Sequence, residues 1–208
     1  MKGESVGAQL TVFTVGHSNH PLAKLVDLLR QHRIELLVDV RSSPTARYAT
    51  HFNRNDIERA LHAEGIEYRF LGNLMGGKPK RAEFYDDRGF VLYDRLAESP
   101  EFQQGIDQVL EAGHSRRLAL LCSEEDPTQC HRRLLIGRVL RKCGAALVHI
   151  REDGRLQTEE ELIQDEQRRE ASGQMTLFDE EELYEWKSTR SVSPRGAQRS
   201  SSKRSSAQ

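Results

Sequence analysis

Short apolar runs alternate with segments of helical period from Leu10 to Ile150, an alternation that predicts βα units and a mainly parallel sheet. The runs Leu10 to Val15, Ile34 to Val40, Ile66 to Leu71, Leu118 to Cys122 and Ala145 to Ile150 read as about five strands. The second is apolar enough to be covered on both faces. Between the first two, Leu22, Leu25, Val26, Leu28 and Leu29 mark one side of a helix that Ser18 or Asn19 can cap. Further helices are expected over 54–64, closed by Gly65, within about 100–112, and over about 129–142, closed by Gly144. Right-handed crossovers fold this order into a three-layer α/β sandwich. Residues 72–99 break the rhythm and read as irregular loop, Arg151 to Leu156 as a turn, and Thr158 to about Ala171 as a polar helix.

The same pattern divides the chain into a single α/β domain over 10–171, a short segment over 172–186 and a tail over 187–208. The tail holds six basic residues and no acidic one, is rich in Ser and Arg, and lacks the apolar content for a core, so it is expected to be disordered. Its plainest use is solubility; a functional one is salt-sensitive attraction to a polyanion. Overall charge is nearly balanced, 31 Lys and Arg against 32 Asp and Glu. No apolar run reaches the roughly 20 residues of a membrane span, and three cysteines are too few for a disulfide scaffold. The expectation is a cytoplasmic protein with free thiols and no membrane partner.

In open parallel sheets ligands bind outside the carboxyl ends of the strands. Those ends deliver Gly16-His17-Ser18, then Asp39-Val40-Arg41 with Pro44 and Arg47, then a loop ending Gly77-Lys78-Pro79-Lys80, and finally Cys122-Ser123-Glu124 with Cys130-His131-Arg132. Cys130 lies near the start of an expected helix beside basic residues, a setting that lowers a thiol pKa and favours the nucleophilic thiolate. The competing reading makes Cys122 and Cys130 small buried apolar residues, and Cys143 is expected to be structural. Arg41, Arg47, Lys78, Lys80 and Arg132 suit an anionic substrate, with Asp39 and Gly77 shaping its site. His17, His131 and Glu124 are the acid/base groups within reach. No cofactor is expected. Zinc on the two cysteines with His17 and His131 is a lesser alternative, because the seven residues between the cysteines depart from the usual knuckle spacing. A reversible Cys122–Cys130 disulfide is another.

Taken together, Thr14-Val-Gly-His17-Ser18, Asp39-Val-Arg41, Leu71-Gly72 to Gly77-Lys78-Pro79, Leu121-Cys122-Ser-Glu124 with Cys130-His131-Arg132, and Val148-His149-Ile150 resemble the domain of unknown function 488 family, over about residues 12–167. The resemblance implies one α/β domain and points to the same polar edge without naming a reaction. A looser likeness to rhodanese and phosphatase loops fails at Thr128, where an Arg would be needed.

Beyond the domain, Gln174-Met175-Thr176-Leu177-Phe178 resembles the short peptide by which bacterial replication and repair proteins dock on the DNA sliding clamp. The alternative packs Met175, Leu177 and Phe178 back onto the domain. These features together suggest an enzyme for an anionic nucleotide-type or nucleic-acid substrate, with Cys130 as nucleophile. The rivals are a non-catalytic nucleic-acid or nucleotide-binding adaptor in DNA repair or replication, and a thiol-redox or sulfur-transfer protein.

Overall fold

A computed structural model describes residues 9–45, 50–171 and 186–192. The chain is α/β, with a six-stranded sheet in the order β3-β2-β4-β1-β5-β6. The strands are β1 (Thr11–Gly16), β2 (Leu36–Asp39), β3 (Glu67–Phe70), β4 (Leu118–Cys122), β5 (Ala146–Ile150) and β6 (Leu156–Thr158). The first five run parallel, and β6 pairs antiparallel with β5. β1, β2 and β4 are fully covered on both faces, which their unbroken apolar runs require.

Helices cover both faces of the sheet. On one, α1 (Leu22–Gln31) and α2 (Arg54–Ala63) pack Leu25, Leu29, Ile57 and Leu61 against Phe13, Val15, Leu37 and Leu121. On the other, α3 (Gly72–Met75), α4 (Tyr93–Glu98), α5 (Pro100–Ser115) and α6 (Arg138–Lys142) pack Met75, Leu96, Phe102, Ile106 and Leu140 against Val12, Leu36, Val38, Leu118 and Leu120. Each such buried aliphatic or aromatic side chain contributes roughly 1.5–3 kcal/mol. α5 starts where the sequence dictates: Ser99 accepts from the Phe102 amide, and Pro100 fills the first turn, where no backbone donor is needed.

Four differences from the sequence expectation have physical causes. A sixth strand, β6, adds to the expected five, because three residues in a polar stretch carry too little pattern to register. Residues 72–99 contain α3 and α4, which bury Met75, Tyr93 and Leu96 under α5. The helix expected over 129–142 opens as a wide π-type turn, Arg132–Gly137, before α6, so its first turn is rotated relative to a regular helix. Finally, residues 186–192 lie on the domain, where a tail was expected from 187 onward. Trp186 donates to the Leu134 carbonyl at 2.7 Å under Arg138 and Lys142, and the Ser188 amide donates to the Val91 carbonyl at 2.9 Å. The polar helix expected at 158–171 is α7 (Glu159–Ala171). Among the described residues no helix is long and apolar enough to cross a membrane.

Candidate functional site

The strand register assigns the polar side chains of the carboxyl edge to opposite faces. Asp39 is paired with Leu121, and alternation along β4 then turns Cys122 to the other side. Asp39, Arg41 and His17 therefore gather on the face of Phe52, α1 and α2, while Cys122, Cys130 and His131 gather beside Tyr93 of α4. The single pocket expected from the sequence is two adjoining clusters, close enough for the Cys122 charge to act on Arg41.

The first cluster is closed. Arg41 donates from Nε and Nη2 to the Asp39 carboxylate, with contacts of 2.9 and 2.6 Å, and from Nη1 to the Phe52 carbonyl and to His17 Nε2. Tyr68 donates to Asp39 Oδ2 at 2.8 Å. His17 Nδ1 donates to the Ser18 carbonyl at 2.7 Å, and its ring stacks on Phe52. Burial, then the Arg41 charge, push the His17 imidazole down to about 4. His17 is thus neutral at neutral pH with both nitrogens engaged. Arg41, buried, has a protein partner at every guanidinium nitrogen. Neither presents a group to a ligand in this arrangement, in contrast to the anion-binding and proton-transfer roles expected from the sequence.

The second cluster is built differently. β4 ends on Cys122, held by the His17 amide on its carbonyl, and the loop 123–129 returns to Cys130 and His131 at the start of the π-type turn. Cys122 Sγ lies 3.2 Å from Glu124 Oε2 and 3.5 Å from His131 Nδ1. Cys130 Sγ lies 3.4 Å from the same carboxylate oxygen and 3.9 Å from the same nitrogen. His131 Nε2 donates to the Val40 carbonyl at 3.0 Å and Nδ1 faces the sulfurs; burial opposes a charge on the ring, but the hydrogen bond with Cys130 and the Cys130 charge outweigh it and push the His131 imidazole up. Both thiols are buried, at 3% and 1% exposure, whereas Cys143 is exposed. The hydrogen bond with Cys130, then burial, push the Cys122 thiol well up. Burial opposes ionisation of Cys130 too, but the Cys122 thiol, the Arg132 charge and His131 outweigh it and hold Cys130 well below the usual thiol range. One proton shared between the two sulfurs, with the negative charge resting on Cys130, is the arrangement these shifts describe.

Arg132 supports this loop from inside. At 1% exposure it donates to the Glu124 and Glu125 carbonyls and, through Nε, to Thr14 Oγ1 at 3.3 Å. Thr14 must then donate to His149 Nδ1, 2.8 Å away, and His149 Nε2 to Glu159, 2.9 Å away. Glu159 also accepts from Arg133, which forks onto Glu166 of α7. Arg132 is therefore a strut of the cysteine loop, where the sequence suggested an anion binder. A Cβ at Gly16 would collide with the Glu124 carbonyl, so glycine lets β1 pass directly beneath the loop. Gly77 plays the equivalent part for His131: an added Cβ would sit 2.7 Å from the ring.

Of the remaining candidates, Lys78 is exposed, with its amide donating to Ser42 Oγ at 2.8 Å. Arg47, Gln174, Met175, Leu177 and Phe178 lie outside the described residues. A surface concavity of about 600 Å³ beside Leu22, His51, Asp56 and Arg59 lies away from the cysteines. Sequence reasoning missed Thr14, Tyr68, Phe52 and Glu159. Two polar residues inside apolar strands, Thr14 and His149, were the available signal, since parallel pairing of β1 with β5 sets them side by side.

A family model described as Domain of unknown function DUF488 matches residues 21–139, more than half of the chain. The match includes both cysteines and His131; β1 and β5 fall outside it. No curated protein and no solved structure matches.

Proposed function

We propose, for a chain that belongs to the DUF488 family, that its activity is thiol-dependent and runs through Cys122 and Cys130 as one dithiol centre. The observation that carries this reading is the convergence of two thiols on one carboxylate oxygen and one imidazole nitrogen at the end of β4. In such a centre Cys130 attacks one sulfur of a disulfide substrate, forming a mixed disulfide and expelling the other half as a thiolate. The Cys122 thiol, losing its proton to Glu124, then attacks the Cys130 sulfur and releases the second thiolate. The substrate is reduced by two electrons, and the protein retains a Cys122–Cys130 disulfide. Access requires the loop 123–129 to lift, because Cys130 is buried beneath it; Ser123, Glu124, Asp126 and Gln129 are its exposed residues. An anionic group on the substrate would meet Lys78 and Lys80, both exposed beyond Gly77, rather than Arg41 or Arg132.

The test is mild oxidation of metal-stripped protein with oxidised glutathione, followed by peptide mass spectrometry. A Cys122–Cys130 disulfide is expected, with Cys143 appearing only as a glutathione adduct. Modification of Cys143 alone would remove the dithiol reading.

A second reading concerns recruitment rather than chemistry. Gln174, Met175, Leu177 and Phe178 lie between the end of α7 at Ala171 and Trp186, in a sequence that resembles a clamp-docking peptide. Docking on a bacterial sliding clamp through this segment is tested by pull-down of wild type against Leu177→Ala/Phe178→Ala. Equal capture would exclude it.

A further inference from the structure

We propose that Cys122 Sγ, Cys130 Sγ and His131 Nδ1 form a binding site for a thiophilic divalent metal ion, Zn²⁺ by ligand type. This rests on the dithiol reading only in treating the two cysteines as a working pair. The three donor atoms lie within 4.8 Å of one another. Tetrahedral zinc, with Zn–S of about 2.3 Å and Zn–N of about 2.05 Å, sets neighbouring sulfur and nitrogen ligands about 3.6 Å apart. The distances from His131 Nδ1 to the two sulfurs are 3.5 and 3.9 Å. Little movement is needed to take up an ion.

Chemistry favours the same assignment. A ligating histidine is held by a hydrogen bond from its other nitrogen, and His131 Nε2 donates to the Val40 carbonyl for that purpose. Two sulfurs with one imidazole are soft to borderline ligands, which select zinc over magnesium or calcium. The ion displaces the protons on the sulfurs to solvent and leaves a neutral site, since two thiolates balance its charge. The Arg132 strut and the close passage of Gly16 hold the loop in place, so the ligand positions are largely preformed. Burial of both sulfurs hinders a substrate but suits a metal that stays in place. Glu124 Oε2, at 3.2 and 3.4 Å from the sulfurs, is placed to take a proton from a water on the ion.

Seven residues separate the cysteines, and the histidine follows the second one directly, so no zinc-knuckle spacing betrays the site. It is assembled from a strand end and a helix start.

The experiment is titration of the metal-stripped full chain with Co²⁺, read by absorption, together with zinc analysis of the protein as purified. One equivalent should produce sulfur-to-cobalt charge transfer and the visible bands of a tetrahedral ion. Cys122→Ala and the near-isosteric Cys130→Ser should abolish them, His131→Ala should weaken binding, and Cys143→Ala should change nothing. Circular dichroism identifies any variant that has lost its fold. Absence of a one-to-one signal in the wild type, or its persistence in folded Cys122→Ala and Cys130→Ser, overturns the site. Stripped protein that forms the Cys122–Cys130 disulfide yet binds no cobalt overturns the metal and leaves the dithiol. A cobalt signal without that disulfide supports the metal and removes the redox chemistry.

Discussion

Two polar clusters occupy the same edge of the sheet on opposite faces, and their protons are distributed in opposite ways. Around Asp39, donors abound: Arg41 and Tyr68 both donate to the carboxylate, and the spare Nη1 of Arg41 is taken by a backbone carbonyl and His17. Every group there has an internal partner, so the cluster holds β2, β1 and the Phe52 turn together. Around Cys122 and Cys130, two sulfurs and a carboxylate oxygen have only the thiol protons and the His131 ring, pushed up by the Cys130 charge, to share. A buried polar group is costly unless it is satisfied, so a fully paired cluster reads as structure, whereas converging lone pairs read as a place for an electrophile. Shared position at a strand end is therefore weaker evidence of function than an unfilled demand for positive charge.

The contrast can be broken from either side. The largest effect is expected for Asp39→Ala, which leaves the buried Arg41 charge uncompensated and should cost about 3–5 kcal/mol in urea unfolding. The cobalt signal of the folded fraction should survive, because the damage lies across the sheet. Acid is the next probe. The folded His17 imidazole titrates near 4, below the ordinary 6.5, so the unfolded chain takes up a proton that the folded one refuses. Its stabilising contribution is complete above pH 6.5 and declines by about 3 kcal/mol as pH falls through 4. His17→Gln, whose amide oxygen can still accept from Arg41, should flatten that part of the stability profile; an unchanged profile would show that His17 is not the group responsible.

Thr14→Val comes third. It removes the hydroxyl that links Arg132 to His149 and should cost about 1–3 kcal/mol, through buried polar groups left without partners. Because Arg132 also braces the loop 123–129, cobalt affinity should fall as well, which separates a strut from an isolated core contact. Gly77→Ala comes last and is read on the metal. Its methyl would press on the near end of the His131 side chain and should weaken Co²⁺ binding about 10- to 100-fold. Equal cobalt affinity in that variant would mean that His131 is not positioned as described.

Much of this architecture was legible in the sequence. Strands buried on both faces must be nearly continuous runs of apolar residues, and helices between them must show one apolar side, so the five parallel strands and α1, α2, α5 and α7 stood out. β6 and α4 did not, since elements of three and six residues have too short a period to be recognised. The strand-end rule also singled out Cys122, Cys130 and His131, which the fold brings together. Arg41 and Arg132 were read as ligand-facing; folding buries both and supplies the carboxylate and carbonyls that make their burial tolerable.

The amino-acid pattern by itself determined the layers, the strands and the edge at which polar residues collect, because these follow from local periodicity and apolar content. The tertiary structure alone decided which side of the sheet each residue faces. Pairing Asp39 with Leu121 sends Asp39 and Cys122 to opposite faces, and a shift of one residue would have put them together. That register is set by helices packing on both faces at once, a constraint shared among distant parts of the chain and written in no single segment.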